Sequence, residues 1–288
     1  MRHEVAAILN GLELEADGIY SSAFPKATGQ ADEIRERETF ALRKHPDLLL
    51  EIGRHHSIPV MDREVRLFLG GIPSHGVVAD VGGGWGWHWR RLATERPDVC
   101  VVLVDFVRAN LRVAARVLGA LVNDQVFLVH GDAMKLPFPS SAFDGFWSVQ
   151  TLQHIPCFEH AVREAHRILG QNGRFACYSL NRAKLIEVAY RLMGKPYTVH
   201  GERRGHFHLA RGDAEQAGLV ARVFGSRVTS RYTEIMFHPD LGLRTGGASS
   251  WIGCVDARLS SNLPLLTWIA RQRSYHARKP SGLATGRT

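Results

Sequence analysis

The 288 residues are 45% hydrophobic and 22% charged, carry a formal net charge of +8, and contain no run of 18 apolar residues, so no membrane-spanning helix is expected. From Arg271 onward five basic residues occur without an acid, so +5 of the +8 belongs to that stretch. It reads as a solvated basic tail, with an anionic partner as the sharper alternative.

Taken in chain order, helical stretches are expected around His3 to Leu14, Ala31 to Arg43 and Asp62 to Leu69, broken at Phe24-Pro25, His45-Pro46 and Ile58-Pro59. The first residues lack the apolar centre of a secretory signal, and Cys100, Cys157, Cys177 and Cys254 match no metal-ligand spacing. A reducing cytoplasm is therefore the expected location, with no metal site. From about residue 75 to 225, apolar runs of strand length alternate with helical segments, which implies a parallel sheet. The runs are Val77 to Asp80, Cys100 to Val104, Val126 to His130 and Phe143 to Val149, then a helix, turn and strand within Ala161 to Leu180. A sixth strand is expected near Leu219 (LVARVF). The seventh is either Arg231 to Phe237 or Ser274 to Lys279.

The first strand runs into VGGGWG. Gly82, Gly84 and Gly86 make a G-x-G-x-G spacing, and Trp87 stands where the dinucleotide fingerprint needs its third glycine. This favours S-adenosylmethionine (SAM) over NAD. Asp105 closes the second strand about 20 residues later, suited to a carboxylate that accepts from both ribose hydroxyls.

The order DVGGGWG, VLVDF, GDAMKLPFP, FDGFWS and REAHRILGQNGRF, spanning roughly Val77 to Leu180, resembles the class I SAM-dependent methyltransferases. The likeness is greatest to the type 11-like subgroup with small-molecule and quinone-biosynthesis enzymes. It implies an α/β fold: a Rossmann-like, doubly wound, seven-stranded, mostly parallel sheet with an N-terminal helical lid. The expected division is a lid over 1–70, a core over 71–240 with an acceptor-specificity insert at about 181–213, and a C-terminal segment and tail over 241–288.

The resemblance also distributes roles. The amides of Gly82, Gly83, Gly84 and Gly86 open a helix N-terminus facing the methionine carboxylate. Asp80 orients the amino-acid end, or alternatively caps its own loop. Asp105 holds the ribose, or alternatively caps a helix. Phe106 forms a platform for adenine, and Asp132 with the Ala133 amide reads the adenine edge, or alternatively forms a turn. Ser148 joins the cofactor set, and Gln150, Gln153, His206 and His208 the acceptor set. His154 is the candidate base, since imidazole titrates near neutral pH. Trp85, Trp87 and His88 are larger than the residues usual after such a loop; they pack the first helix or line the methionine end. Tyr20 and Phe24 are candidates to close over the cofactor.

The expected activity is methyl transfer to a small metabolite by in-line displacement, achieved by positioning and exclusion of water. The Gly, His and Arg content of the insert suits a polar or acidic acceptor better than a long lipid. Two alternatives stay open: a tRNA-modifying methyltransferase, and a SAM-binding partner subunit without catalysis. The strand-four end reads SVQT rather than the N/D-P-P-Y/F of base-amine methylation, and Pro156-Cys157 lies too far beyond that strand for a C5 nucleophile.

Overall fold

Nine strands form one sheet in the computed structural model, which describes residues 3–21, 31–43, 47–155, 157–195, 213–238 and 242–281. Helix α1 (His3–Ile8) leads into two short strands, β1 (Glu13–Leu14) and β2 (Tyr20–Ser21). Then come α2 (Ala31–Ala41), α3 (Leu48–His55) and α4 (Ile58–Leu69). The core continues with β3 (Val77–Val81), α5 (Leu92–Glu95), β4 (Cys100–Asp105), α6 (Arg108–Leu118), β5 (Val126–His130) and β6 (Phe143–Val149). After these lie α7 (Phe158–Ile168), β7 (Leu169–Leu180), α8 (Lys184–Leu192), α9 (Asp213–Phe224), β8 (Thr229–Thr233), α10 (Leu243–Gly246), α11 (Trp251–Leu259) and β9 (Gln272–Arg278).

The order across the sheet is β1-β2-β5-β4-β3-β6-β7-β9-β8. From β2 to β7 all neighbours are parallel, and the β1–β2, β7–β9 and β9–β8 pairs are antiparallel. The central strands β3 and β4 are buried at every position, as a strand covered on both faces must be. One face packs Phe146, Phe175 and Phe224 under α7 and α9; the other packs Phe68, Trp89, Trp147 and Tyr178 under α4 and α6. The chain order reverses between β3 and β6, which opens a crevice beyond the strands' carboxyl ends.

Several expected elements differ. LVARVF is not a strand but the last turns of α9: Leu219, Val220 and Phe224 fall on one buried helical face, and a short apolar run fits either period. Both candidates for the seventh strand form strands, pairing with each other as β8 and β9, and the unexpected β1 and β2 raise the total to nine. Helix α1 stops at Ile8, and the segment expected to continue it turns back to place Tyr20 and Ser21 on the edge of β5. Pro59 does not break a helix but sits in the first turn of α4, where its missing N–H costs nothing. Helix α3 had no counterpart in the expected elements; Asp47 caps it by accepting from the Leu50 amide at 3.0 Å.

Candidate cofactor and acceptor site

The loop after β3 is shaped by glycine. Gly82, Gly84 and Gly86 have φ of 75°, 54° and 68°, the left-handed region that side chains resist. A Cβ on Gly82 would overlap the Thr151 side chain, and one on Gly86 would press on Leu118. At Gly84 a Cβ would meet nothing within 4 Å. Gly82 and Gly86 are therefore small for packing, while Gly84 opens the loop toward free space. The Gly82 and Gly83 amides both donate to the Val104 carbonyl, at 2.7 and 3.2 Å, which ties the loop to β4.

Asp105 ends β4 and is buried beside that loop. Its Oδ2 accepts from the Gly84 amide at 2.9 Å and its Oδ1 from the Val107 amide at 2.8 Å, just before α6. It thus spans the glycine loop and the helix start, the arrangement of the capping alternative. Burial pushes its pKa up, while the two amides, Asn110 and the charge of Arg37 pull the other way. Arg37 lies on α2, so this helix comes over the cofactor side. Phe40 of the same helix stacks on Trp85 at 5.6 Å with 16° between the rings.

Asp80 is turned inward rather than capping its loop. Its Oδ2 accepts from the Trp89 indole at 2.6 Å, and burial raises its pKa to about 7. Trp87, His88 and Trp89 are all buried in the turn that follows. Neither ring nitrogen of His88 has a hydrogen-bond partner, and burial holds the ring neutral with a pKa near 3. Asp132 Oδ1 accepts from the Met134 amide at 2.8 Å, the turn arrangement; Ala133 packs against the core next to it. The Phe106 ring packs on the α4/α6 side, and its carbonyl accepts from His130 Nε2 at 3.1 Å. Ser148 is buried, and its hydroxyl donates to the Val81 carbonyl at 2.8 Å, stitching β6 to β3.

On the acceptor side, Gln150 has φ 53° and its amide donates to the Tyr178 carbonyl at 2.7 Å. Its side-chain Nε2 is buried without a partner. Gln153 Oε1 accepts from the Leu180 amide at 2.7 Å, and its Nε2 lies 3.2 Å from His154 Nε2. His154 thus sits at the carboxyl end of β6, beside a glutamine that braces it against β7. His206 and His208, like Phe24, lie outside the described residues. Tyr20 is paired with Val129 at the β5 edge of the sheet and its side chain is buried in the core.

Residues not anticipated include Phe40 and Arg37, and a buried pair behind the acceptor side. Glu234, fully buried at φ 54°, accepts from the Ser57 amide at 2.9 Å and pairs with Arg271. Among the described residues no group of three or more His, Cys, Asp or Glu gathers as a metal site, and no helix is long and apolar enough to cross a membrane.

The residues present fit SAM: an acid at the end of the second core strand, an open glycine beside it, and an orphaned buried amide at Gln150, while the amides of Gly82, Gly83, Gly84 and Gly86 donate within the protein rather than toward a ligand carboxylate. A methyltransferase-domain family model matches residues 79–177. Residues 79–177, about a third of the chain, thus carry a SAM-dependent methyltransferase domain. It is 37% identical to a 27-O-demethylrifamycin SV methyltransferase of Amycolatopsis mediterranei over 34% of this chain and 36% of that one. It is 29% identical to a malonyl-acyl-carrier-protein O-methyltransferase of Geobacter sulfurreducens over 63% of this chain and 68% of that one. The chain thus spans about a third to two thirds of these curated relatives. A solved SAM-dependent methyltransferase from Thermotoga maritima, 15% identical, superposes with a TM-score of 0.54 over 87% of this chain and 98% of that one, a likeness of fold.

Proposed function

We propose that this chain transfers a methyl group from SAM to a small-molecule acceptor seated over the carboxyl ends of β6 and β7. The observation that carries the reading is Asp105, buried at the end of β4 and joined to the Gly84 amide of the open loop. When bound, SAM supplies a methyl already activated on a sulfonium. Asp105 holds the ribose, the open side of the loop at Gly84 leaves room for the amino-acid end, and Phe106 with Asp132 and Ala133 borders the adenine. Asp80 acts from beneath, fixing Trp89 and so the turn that the loop rests on.

What remains for the protein is to position the acceptor and exclude water, since little covalent chemistry is left. Gln150 offers a buried N–H pair to orient the acceptor, and His154 takes a proton where the acceptor has one to lose. Helix α2 covers the cofactor from the N-terminal side through Phe40 and Trp85. The segment from α8 onward sets acceptor choice. That the two relatives above carry small-molecule and carrier-protein acceptors in their names supports a metabolite over RNA.

The test is calorimetric titration of SAM into the wild type and Asp105→Asn, followed by transfer of labelled methyl into small-molecule and RNA fractions of an extract. Binding that weakens at least tenfold in the variant, with label in the small-molecule fraction, is expected. Equal SAM affinity in both proteins overturns the ribose assignment, and label confined to RNA overturns the acceptor class.

A further inference from the structure

A cleft of about 160 Å³ opens on the α4 face of the sheet, over β7, β8 and β9. None of its lining residues belongs to the glycine loop, the Asp105 and Asp132 positions, or the acceptor set. It is lined by the buried Glu64, Phe68 and Tyr178, by Arg174, Arg231 and His276, and by Leu67 and the exposed Thr229 and Asn262.

The charges in this cleft do not balance. Glu64, buried in α4, accepts from Arg231 Nε with both oxygens at 2.9 Å and from the Tyr178 hydroxyl at 3.1 Å. That carboxylate is therefore fully engaged. Arg174 is left without a hydrogen bond or carboxylate among the described residues, its guanidinium lying 5.7 Å over the Phe68 ring. A half-buried guanidinium with five donors and no acceptor is costly to maintain, because desolvation is not repaid. Its neighbours add to the cost. Burial and then Arg278 lower the proton affinity of Arg174, and burial followed by Arg174 and Arg231 lowers His276 to about 4. The position is also built: the Arg174 guanidinium lies where a Cβ on Gly71 would be, so the glycine makes its room.

We propose that this cleft is a second ligand site, holding a phosphate-class oxyanion on Arg174, with the Thr229 hydroxyl and the Asn262 amide as further donors. Guanidinium binds such oxygens in a forked, charge-assisted manner. The volume corresponds to about five waters at ~30 Å³ each and lies below the ~300 Å³ of pockets for larger organic ligands. It suits a phosphate ion or the phosphate end of a small ester. The site is independent of the methyl-transfer reading.

The experiment is calorimetric titration of inorganic phosphate, and separately glycerol 3-phosphate, into the wild type, Arg174→Met and Gly71→Ala in chloride buffer. Gly71→Ala displaces the end of a flexible side chain and leaves the backbone of α4 in place, so it reports even where Arg174→Met folds poorly. Saturable binding by the wild type, weakened at least tenfold in each variant that keeps the wild-type melting temperature, is expected. Tighter binding of the ester than of the ion identifies a phosphate monoester as the ligand class; the reverse identifies the free ion. No saturable binding to the wild type, or wild-type affinity in a folded variant, overturns the proposal.

Discussion

The Trp89 indole N–H donates to the Asp80 carboxylate at 2.6 Å, and both side chains are buried beneath the glycine loop. Burial, the largest influence, raises the Asp80 pKa to about 7, with the Trp89 bond opposing and Asp105 adding. An acid whose folded pKa exceeds its unfolded one binds its proton more tightly in the folded state. Its contribution is then fully present below about pH 4 and is lost as pH rises toward 7.

Asp80→Asn removes that titration. The stability difference between variant and wild type is expected to shift in the variant's favour by about 2–4 kcal/mol between pH 4 and 8, at roughly 1.4 kcal/mol per pKa unit. Urea unfolding of both proteins at each pH measures it. A difference that stays constant with pH excludes a raised Asp80.

Two glycines of one loop respond differently. Gly82→Ala overlaps Thr151, so it is expected to destabilise by more than about 3 kcal/mol, strain and overpacking together. Gly84→Ala meets open space and carries only the left-handed backbone cost of about 1–2 kcal/mol, yet it places a methyl where the loop faces its ligand. Melting curves and SAM titration separate the two effects: Gly84→Ala folds and binds weakly. Undiminished SAM binding by a folded Gly84→Ala protein removes the cradle role.

Arg271 and Glu234 form a buried pair that joins β8 and β9 to the α3–α4 junction through the Ser57 amide. Arg271→Met leaves the carboxylate buried and unpaired, with an expected loss of about 3–5 kcal/mol. The double variant Glu234→Gln/Arg271→Met recovers part of it. Urea midpoints for the four proteins of the cycle measure this, and strictly additive losses show that the pair does not interact.

Phe40→Ala takes away the ring that stacks on Trp85. An aromatic pair contributes about 0.5–1.5 kcal/mol beyond its buried area, so SAM affinity is expected to fall roughly 2- to 12-fold with little change in melting temperature. Affinity equal to wild type excludes α2 from cofactor binding.

The sequence reading succeeded where the signal was local. A β-strand, a glycine spacing and an acid at the next strand's end lie within 30 residues, and their geometry is imposed by the turn itself, so the turn conformation at Gly84 and the place of Asp105 at the end of β4 were legible. Asp80 was read as orienting the amino-acid end of the cofactor or as capping its own loop, whereas its partner is the Trp89 indole, chosen by burial rather than spacing. The α9 segment was misread because LVARVF satisfies both periods, and only the helical continuation from Asp213 decides between them. Phe40, Glu234 and Arg271 were not legible, since each gains its role from a residue brought near by the whole fold.

The β1–β2 hairpin has one more consequence. Tyr20 and Ser21 complete the sheet by pairing with Val129 and His130, more than a hundred residues further along. During synthesis at about 5–20 residues per second, the hairpin leaves the ribosome and waits several seconds for its partner strand. Its only means of staying in place is closure over a long loop, which slows the final step of folding. A nascent chain halted before β5 should therefore carry this hairpin unprotected, and exposed to proteases that the finished sheet excludes.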